Sequence, residues 1–175
     1  MVHRVTAAED RLQRLATDLA PQLLNYLVRR VDPVEDAADL LSETLLVMCR
    51  RTRALPSDDH EARLWAFGVA RRVLATHRRG AARRAALVDR LRDDLQNAVD
   101  EPATGQEAML LEAVGALDPL DQEIIRLIHW DGFSQVEVAR ILHRRPGTIR
   151  SRYARARETL KAQLHDRPKK TPAGR

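Results

Sequence analysis

A chain of 175 residues is long enough for one medium domain or two small ones. Its 30 Lys and Arg outweigh 25 Asp and Glu, for a formal charge of +5 and a pI near 10.1, a balance that favours a polyanionic partner. The lone Cys49 excludes an internal disulfide, the six histidines are scattered away from ligand spacing, and carboxylates do not cluster with His or Cys, so catalytic residues, a metal site and a cofactor are all unexpected.

Aromatic residues make up only 3% of the chain while Leu, Ala and Arg abound, which suits helical packing and predicts an all-α fold. The start, MVHRVTAAEDRLQ, has no apolar leader-like stretch and no later run approaches membrane-spanning length, so the expectation is a cytoplasmic protein without a membrane partner. From about Glu9 to Arg30, Leu12, Leu15, Leu19, Leu23 and Leu27 recur at helical spacing, with Pro21 a candidate break or kink. Asp32-Pro33-Val34-Glu35 carries the signals of a helix start, and the helix that follows is expected to reach about Arg53. Its apolar stripe is Ala37, Leu40 or Leu41, Thr44, Leu45 and Met48; Cys49 also reads as a small core residue, while Asp36, Asp39 and Glu43 share a separate acidic face.

After a loop at Pro56 to Asp59, a third helix is expected over Glu61 to Arg79, with Leu64, Trp65, Val69 and Val73 as its apolar positions. Trp65 reads as a core anchor in preference to a base-stacking platform. Gly80 marks an expected break before a shorter helical stretch to about Ala98. Between Arg63 and Arg92 the basic residues face the single acid Asp89, which gives this region a basic surface. Residues 99–106, acidic and with Pro102 and Gly105, form the expected linker between two helical domains. Thr104 and Glu107 make a capping box, and helices of about 105–117 and 119–130 follow, the second announced by Asp118-Pro119 and stopped at Asp131-Gly132.

Residues 134–160 carry the most specific pattern, two short helices joined by a tight turn. Ser134 and Glu137 form a capping box, Phe133 and Val138 stand at the spacing of a hydrophobic staple, and His143, Arg144 and Arg145 make the turn before Pro146 opens the second helix. On that helix Ile149, Tyr153, Ala156 and Leu160 line one stripe. The opposite face has Gly147, Ser151 and Ala154 at its centre, Arg150 and Arg157 on one shoulder, and Thr148, Arg152 and Arg155 on the other. Small residues let a helix sink into a groove, where guanidinium groups meet phosphates or guanine edges. A solvated basic face is the bland alternative, but such faces interleave acids with bases, and Val138 to Arg157 holds no acid. Geometry places Arg150, Ser151 and Arg155 for base edges, and Arg144, Arg145 and Arg157 for phosphates.

Several stretches in this order resemble a bacterial RNA polymerase sigma factor of the two-domain extracytoplasmic-function (ECF) group. These are DAADLLSETLLVMCR (36–50), RLWAFGVARRVLATHRRG (63–80), and LDPLDQEIIRLIHWDGFSQVEVARILHRRPGTIRSRYARARETL (117–160). The resemblance implies a sigma-2-like domain over residues 1–98, an acidic linker at 99–106, a sigma-4-like helix-turn-helix domain at 107–165 and a basic tail at 166–175. It further implies a non-enzymatic promoter-specificity subunit whose partners are core RNA polymerase, through its clamp coiled coil and flap, and promoter DNA; an anti-sigma factor is a further partner common for the family. Asp36, Asp39, Ser42 and Glu43 would face core polymerase, Arg71, Arg72, Arg78, Arg79, Arg83 and Arg84 the opened minus-10 element, and Arg144, Arg145, Thr148, Arg150, Ser151, Arg152, Arg155 and Arg157 the minus-35 element. The chain departs from the family pattern in having Ser42 where Gln is common, Arg72 and Thr76 where Asn and Asp are common, and His143 and Arg145 in place of a turn Gly and a Ser cap. The alternative is a free-standing helix-turn-helix regulator in which residues 1–98 sense or dimerise; it would bind duplex DNA tightly without polymerase.

Overall fold

Each apolar stripe with three- and four-residue spacing becomes a helix in the computed structural model, which describes residues 7–91 and 106–165. The expected continuation to Ala98, nearly all of the linker, the Thr104 half of its capping box and the basic tail lie outside the described residues. Among the described residues there are seven α-helices and no strand: α1 (Ala7–Val28), α2 (Asp36–Arg50), α3 (Asp59–Leu91), α4 (Gln106–Gly115), α5 (Pro119–His129), α6 (Gln135–Ile141) and α7 (Pro146–His165). None of these helices is long and apolar enough to cross a membrane. The chain divides into two compact units, Met1–Gln96 and Asn97–Arg175.

In the first unit α1, α2 and α3 pack against one another. Leu23, Leu27, Met48 and Phe67 are fully or almost fully buried, and Tyr26 meets Phe67 edge-on with ring centroids 5.5 Å apart. Each such side chain contributes roughly 1.5–3 kcal/mol when removed from water, so the packed stripes and not helix propensity hold this unit together. Pro21 lies inside α1 and is exposed; the helix continues through it. The start of the second helix falls later than its cap signal suggests. Asp36 N–H bonds to the Pro33 carbonyl and Ala37 N–H to that of Val34, so residues 33–35 form a turn and α2 begins at Asp36, without a side-chain cap from Glu35. Its end also comes earlier, at Arg50, before a short 3-10 turn at Thr52–Ala54.

Three further expectations are corrected here. Cys49 is exposed, because the buried line of α2 runs Ala37, Leu40, Thr44, Met48 and leaves position 49 on the outer side. Trp65 is only half-buried, and the aromatic anchor of α3 is Phe67, which is 1% exposed. Gly80 does not break the third helix: α3 runs 33 residues, from Asp59 to Leu91. A lone glycine costs a helix only about 1 kcal/mol relative to alanine, too little to stop one flanked by good helix formers such as Ala81 and Ala82. Its start is fixed by Asp58, whose carboxylate accepts from the Glu61 N–H at 2.9 Å.

In the second unit α4, α5 and α6 are short, at 10, 11 and 7 residues, and side chains fix several of their ends. Gln122 donates to the carbonyls of Gly115 and Leu117, both at 2.8 Å, closing the end of α4, and Asp118 accepts from the Leu120 N–H to open α5. Gly132, at φ +74°, lets the chain turn sharply after α5. The core joins Ala113, Val114, Leu117 and Ile125 to Ala156 and Leu160 of α7, with Trp130 and Tyr153 packed at its edge.

Candidate nucleic-acid interface

The helix-turn-helix is formed by α6 and α7. Ser134 N–H donates to Glu137 at 2.7 Å while Glu137 N–H donates to the Ser134 hydroxyl at 3.3 Å, the reciprocal cap that the spacing predicts. Phe133 and Val138 flank it, 2% and 0% exposed. At the turn His143 takes a left-handed φ of +51°, a conformation that L side chains other than Asn, Asp and His rarely adopt. It therefore fills the place of the family's turn glycine in conformation as well as in position.

Ile149, Ala156 and Leu160 are buried and Tyr153 is half-buried, so the stripe of α7 faces inward as expected. This orientation leaves Thr148, Arg150, Ser151 and Arg155 exposed on the outer face, beside Arg144 and Arg145 in the turn. Among the described residues these four arginines form no ion pair. Ser151 spends its own hydroxyl proton on the Thr148 carbonyl at 3.1 Å and so presents acceptor lone pairs outward. Seven residues past Ser151, Glu158 ends the basic face; a hydrogen bond from Lys161, 2.9 Å away, followed by the charge of that ammonium, holds its carboxyl below the usual range.

Two of the expected shoulder residues are used differently. Arg152 turns toward α5, where its Nε donates to Asp121 at 2.6 Å and its Nη2 to Asp118, leaving the side chain 24% exposed. Helical position explains this: of the arginines on its shoulder, Arg152 is nearest to the buried line of Ile149 and Ala156. Arg157, at the opposite margin, has its guanidinium 5.7 Å from the Tyr153 ring centroid. It also lines an apolar groove of about 330 Å³ with Leu110, Val114, Trp130, Leu160 and Leu164. The sequence signal for that groove was available in an apolar residue of α4 that the core does not consume: Leu110 is 39% exposed.

In the first unit α2 exposes Asp39, Ser42 and Glu43 together, and among the described residues neither acid is in an ion pair. Asp36 instead reaches α3, with its carboxylate 3.3 Å from His77. Leu46, which sequence reasoning passed over, lies at the C-terminal margin of this acidic face, one turn past Ser42 and Glu43, and is 56% exposed. The signal was present: Leu46 is the α2 leucine that falls off the Leu40–Thr44–Met48 line.

The basic residues of α3 do not form one uniform surface. Arg78 donates to the Arg30 carbonyl at 2.6 Å, and Arg79 to the Thr76 hydroxyl at 3.1 Å. Arg71 is half-buried, whereas Arg72 and Arg83 are exposed and Arg84 continues the same helix. Arg72 lines a cleft of about 190 Å³ between α2 and α3 with Thr76, Val69 and Glu43, so a residue expected to face core polymerase and one expected to face DNA share a border. Arg30, which composition alone did not flag, is 6% exposed; it donates to the Tyr26 carbonyl at 3.0 Å, and its guanidinium lies 3.9 Å from the centre of the Tyr26 ring.

Two helical units, one with a helix-turn-helix whose second helix presents an unpaired basic face, define a DNA-binding protein of all-α class. Family models place it further: residues 15–84 match sigma-70 region 2 and residues 107–160 match sigma-70 region 4. The chain belongs to the sigma-70 family as an ECF sigma factor, a promoter-specificity subunit and not an enzyme. It is similar to the ECF RNA polymerase sigma factor BldN of Streptomyces coelicolor, 29% identical over 172 residues, covering 95% of this chain and 65% of BldN. Similarity to the ECF RNA polymerase sigma factor SigL of Mycobacterium tuberculosis is 28% over 169 residues, covering 94% of this chain and 96% of SigL. Among solved structures, the sigma factor RpoE of Bartonella quintana, in complex with the anti-sigma factor NepR, matches with a TM-score of 0.69 and 25% identity over 91% of this chain and 99% of RpoE. CnrH, in complex with the cytosolic domain of CnrY, shares the fold with a TM-score of 0.63 at 21% identity, over 91% of each chain.

Proposed function

We propose that this chain directs core RNA polymerase to promoters with a division of labour between its two units. The α2 face of Asp39, Ser42, Glu43 and Leu46 docks on the clamp coiled coil, with the two acids supplying charge and Leu46 an apolar contact at its margin. Arg71, Arg72, Arg79, Arg83 and Arg84 of α3 act on the opened minus-10 element, where scarce aromatic platforms leave charge to do most of the holding. Thr148, Arg150, Ser151 and Arg155 of α7 read or hold the minus-35 element while Arg144 and Arg145 grip its phosphates. The groove beside Trp130 and Leu110 suits the polymerase flap. An anti-sigma factor is a further partner, supported by the similarity to a sigma factor solved with one, and the setting is the cytoplasm.

The observation that carries this reading is selective pairing of charge. Arg152 and Asp36 are paired across the fold and Arg78, though exposed, is bonded to the Arg30 carbonyl, whereas Asp39 and Glu43 on α2 and Arg150 and Arg155 on α7 are left exposed without an ion pair among the described residues. A free-standing regulator gives no reason for the exposed acids of α2 beside an exposed leucine. The test is run-off transcription with purified bacterial core polymerase on a promoter library, together with co-purification of the Asp39→Lys, Glu43→Lys double variant. We expect discrete promoter-dependent starts, and a tenfold or greater loss of core binding in the variant with its melting temperature unchanged. Tight duplex binding without polymerase, combined with undiminished core binding by the variant, would reverse the assignment.

A further inference from the structure

Arg152 lies between two residues of the exposed α7 face, Ser151 and, three positions on, Arg155, yet its own side chain leaves that face. Its fork spans two carboxylates at the start of α5: Nε on Asp121 and Nη2 on Asp118. The Asp118 oxygen that receives the guanidinium also accepts the Leu120 N–H at 2.9 Å, so one atom both opens α5 and holds α7. Asp121 is well shielded, with its side chain 18% exposed, and both acids stand at the positive end of the α5 dipole.

The other contacts that seat α7 are the buried Ile149, Ala156 and Leu160, with Tyr153 at the core edge, and one single hydrogen bond to α5, between the Tyr153 hydroxyl and His129 Nε2 at 3.1 Å, at the exposed end of a ring that can pivot. Apolar packing fixes how far α7 stands from the core but is non-directional, and it resists rotation about the helix axis only weakly. A planar guanidinium on two fixed carboxylates is directional. We propose that Arg152 is a positioning residue for minus-35 readout: through Asp118 and Asp121 it fixes the roll of α7, and so the aim of Arg150, Ser151 and Arg155, without contacting DNA itself. Promoter selectivity would then depend on two acids of α5, a residue type that repels phosphate.

This inference rests on the proposed promoter recognition by α7, and the experiment keeps the two apart. Arg152→Gln, Asp121→Asn, their double variant and Arg152→Lys are prepared in the full chain. Hydrogen exchange of the α7 amides from Thr148 to Tyr153 is followed without DNA, and holoenzyme affinity is measured on a minus-35 point-mutant panel at two salt concentrations. Faster exchange is expected in Arg152→Gln and Asp121→Asn alike, with discrimination between matched and mismatched sites reduced about tenfold in each. The double variant should be no worse than either single, Arg152→Lys should recover part of the discrimination, and the salt slope should stay at the wild-type value. A slope lowered by about one in Arg152→Gln, with Asp121→Asn silent, would make Arg152 a phosphate contact and overturn the proposal. Equal loss at every site together with a lower melting temperature would reduce the clamp to a scaffold element and also overturn it. Should the wild-type holoenzyme fail to discriminate minus-35 positions at all, the promoter-recognition reading falls, and the exchange arm still decides the clamp: unchanged exchange in Asp121→Asn rejects it.

Discussion

The two units reach stability by different routes. The first consists of three helices, of 22, 15 and 33 residues; α2 starts without a side-chain cap, α3 starts on Asp58, and burial around Tyr26, Phe67, Leu23 and Met48 holds the unit. The second sets three short helices, α4, α5 and α6 of 10, 11 and 7 residues, beside the longer α7, and pins ends of the short ones with Asp118, Gln122 and the Ser134–Glu137 box. End effects explain the contrast. Every helix leaves about four N–H and four C=O groups without intrahelical partners, so the unsatisfied share of a seven-residue helix is far larger than that of a 33-residue one. Long helices tolerate untidy ends if their stripe is buried; short helices need the caps.

That contrast is broken most forcefully by removing an aromatic from the first unit. Phe67→Ala should cost about 3–5 kcal/mol, because it deletes a buried ring and its edge contact with Tyr26. Thermal unfolding followed by circular dichroism should show the transition of residues 7–91 lost or sharply lowered while helix from residues 106–165 persists; simultaneous loss of both would show that the units are not separately stabilised. A smaller effect is expected from the second unit's own device. Ser134→Ala should lower stability by about 1 kcal/mol, and exchange at the Glu137 amide should rise before that of α7. If it costs nothing, the short helices are held by their core and the caps are incidental.

The smallest change sharpens the comparison from the opposite side. Gly68 lies within α3, and a methyl group there would meet no atom within 4 Å, so Gly68→Ala should raise the stability of the first unit by about 0.5–1 kcal/mol, visible as a shifted urea midpoint with an unchanged slope. Destabilisation would mean that propensity is not free to act even on the long helix.

The same physical difference governs what could be read from the chain. The Ser134–Glu137 box, the Asp118 cap, the stop at Gly132 and the inward line of Ile149, Ala156 and Leu160 all follow from local spacing and are found where spacing puts them. In the first unit, local signals competed with packing and lost: Asp32-Pro33 does not start α2, and Gly80 does not stop α3. The outer basic face of α7 was legible for the same reason that its helix was. The fates of Arg152, Asp36 and Arg78 were not, since each depends on a partner brought near by the fold, 31, 41 and 48 positions away along the chain. Leu46 was left out of the α2 stripe, but its place beside Ser42 and Glu43 shows only when its angle on the helix is counted.

The displacement of Cys49 from that core has a practical side. It is the only thiol in the chain, it is exposed, and at seven residues beyond Ser42 it lies nearly above it on α2, close to Leu46. A thiol-reactive dye or alkylating agent therefore addresses one position in the native sequence, on the flank of the acidic surface, with no substitution needed. The chain carries its own footprinting reagent site: protection of Cys49 from alkylation reports cover over α2 directly, and a fluorophore placed there follows the first unit alone.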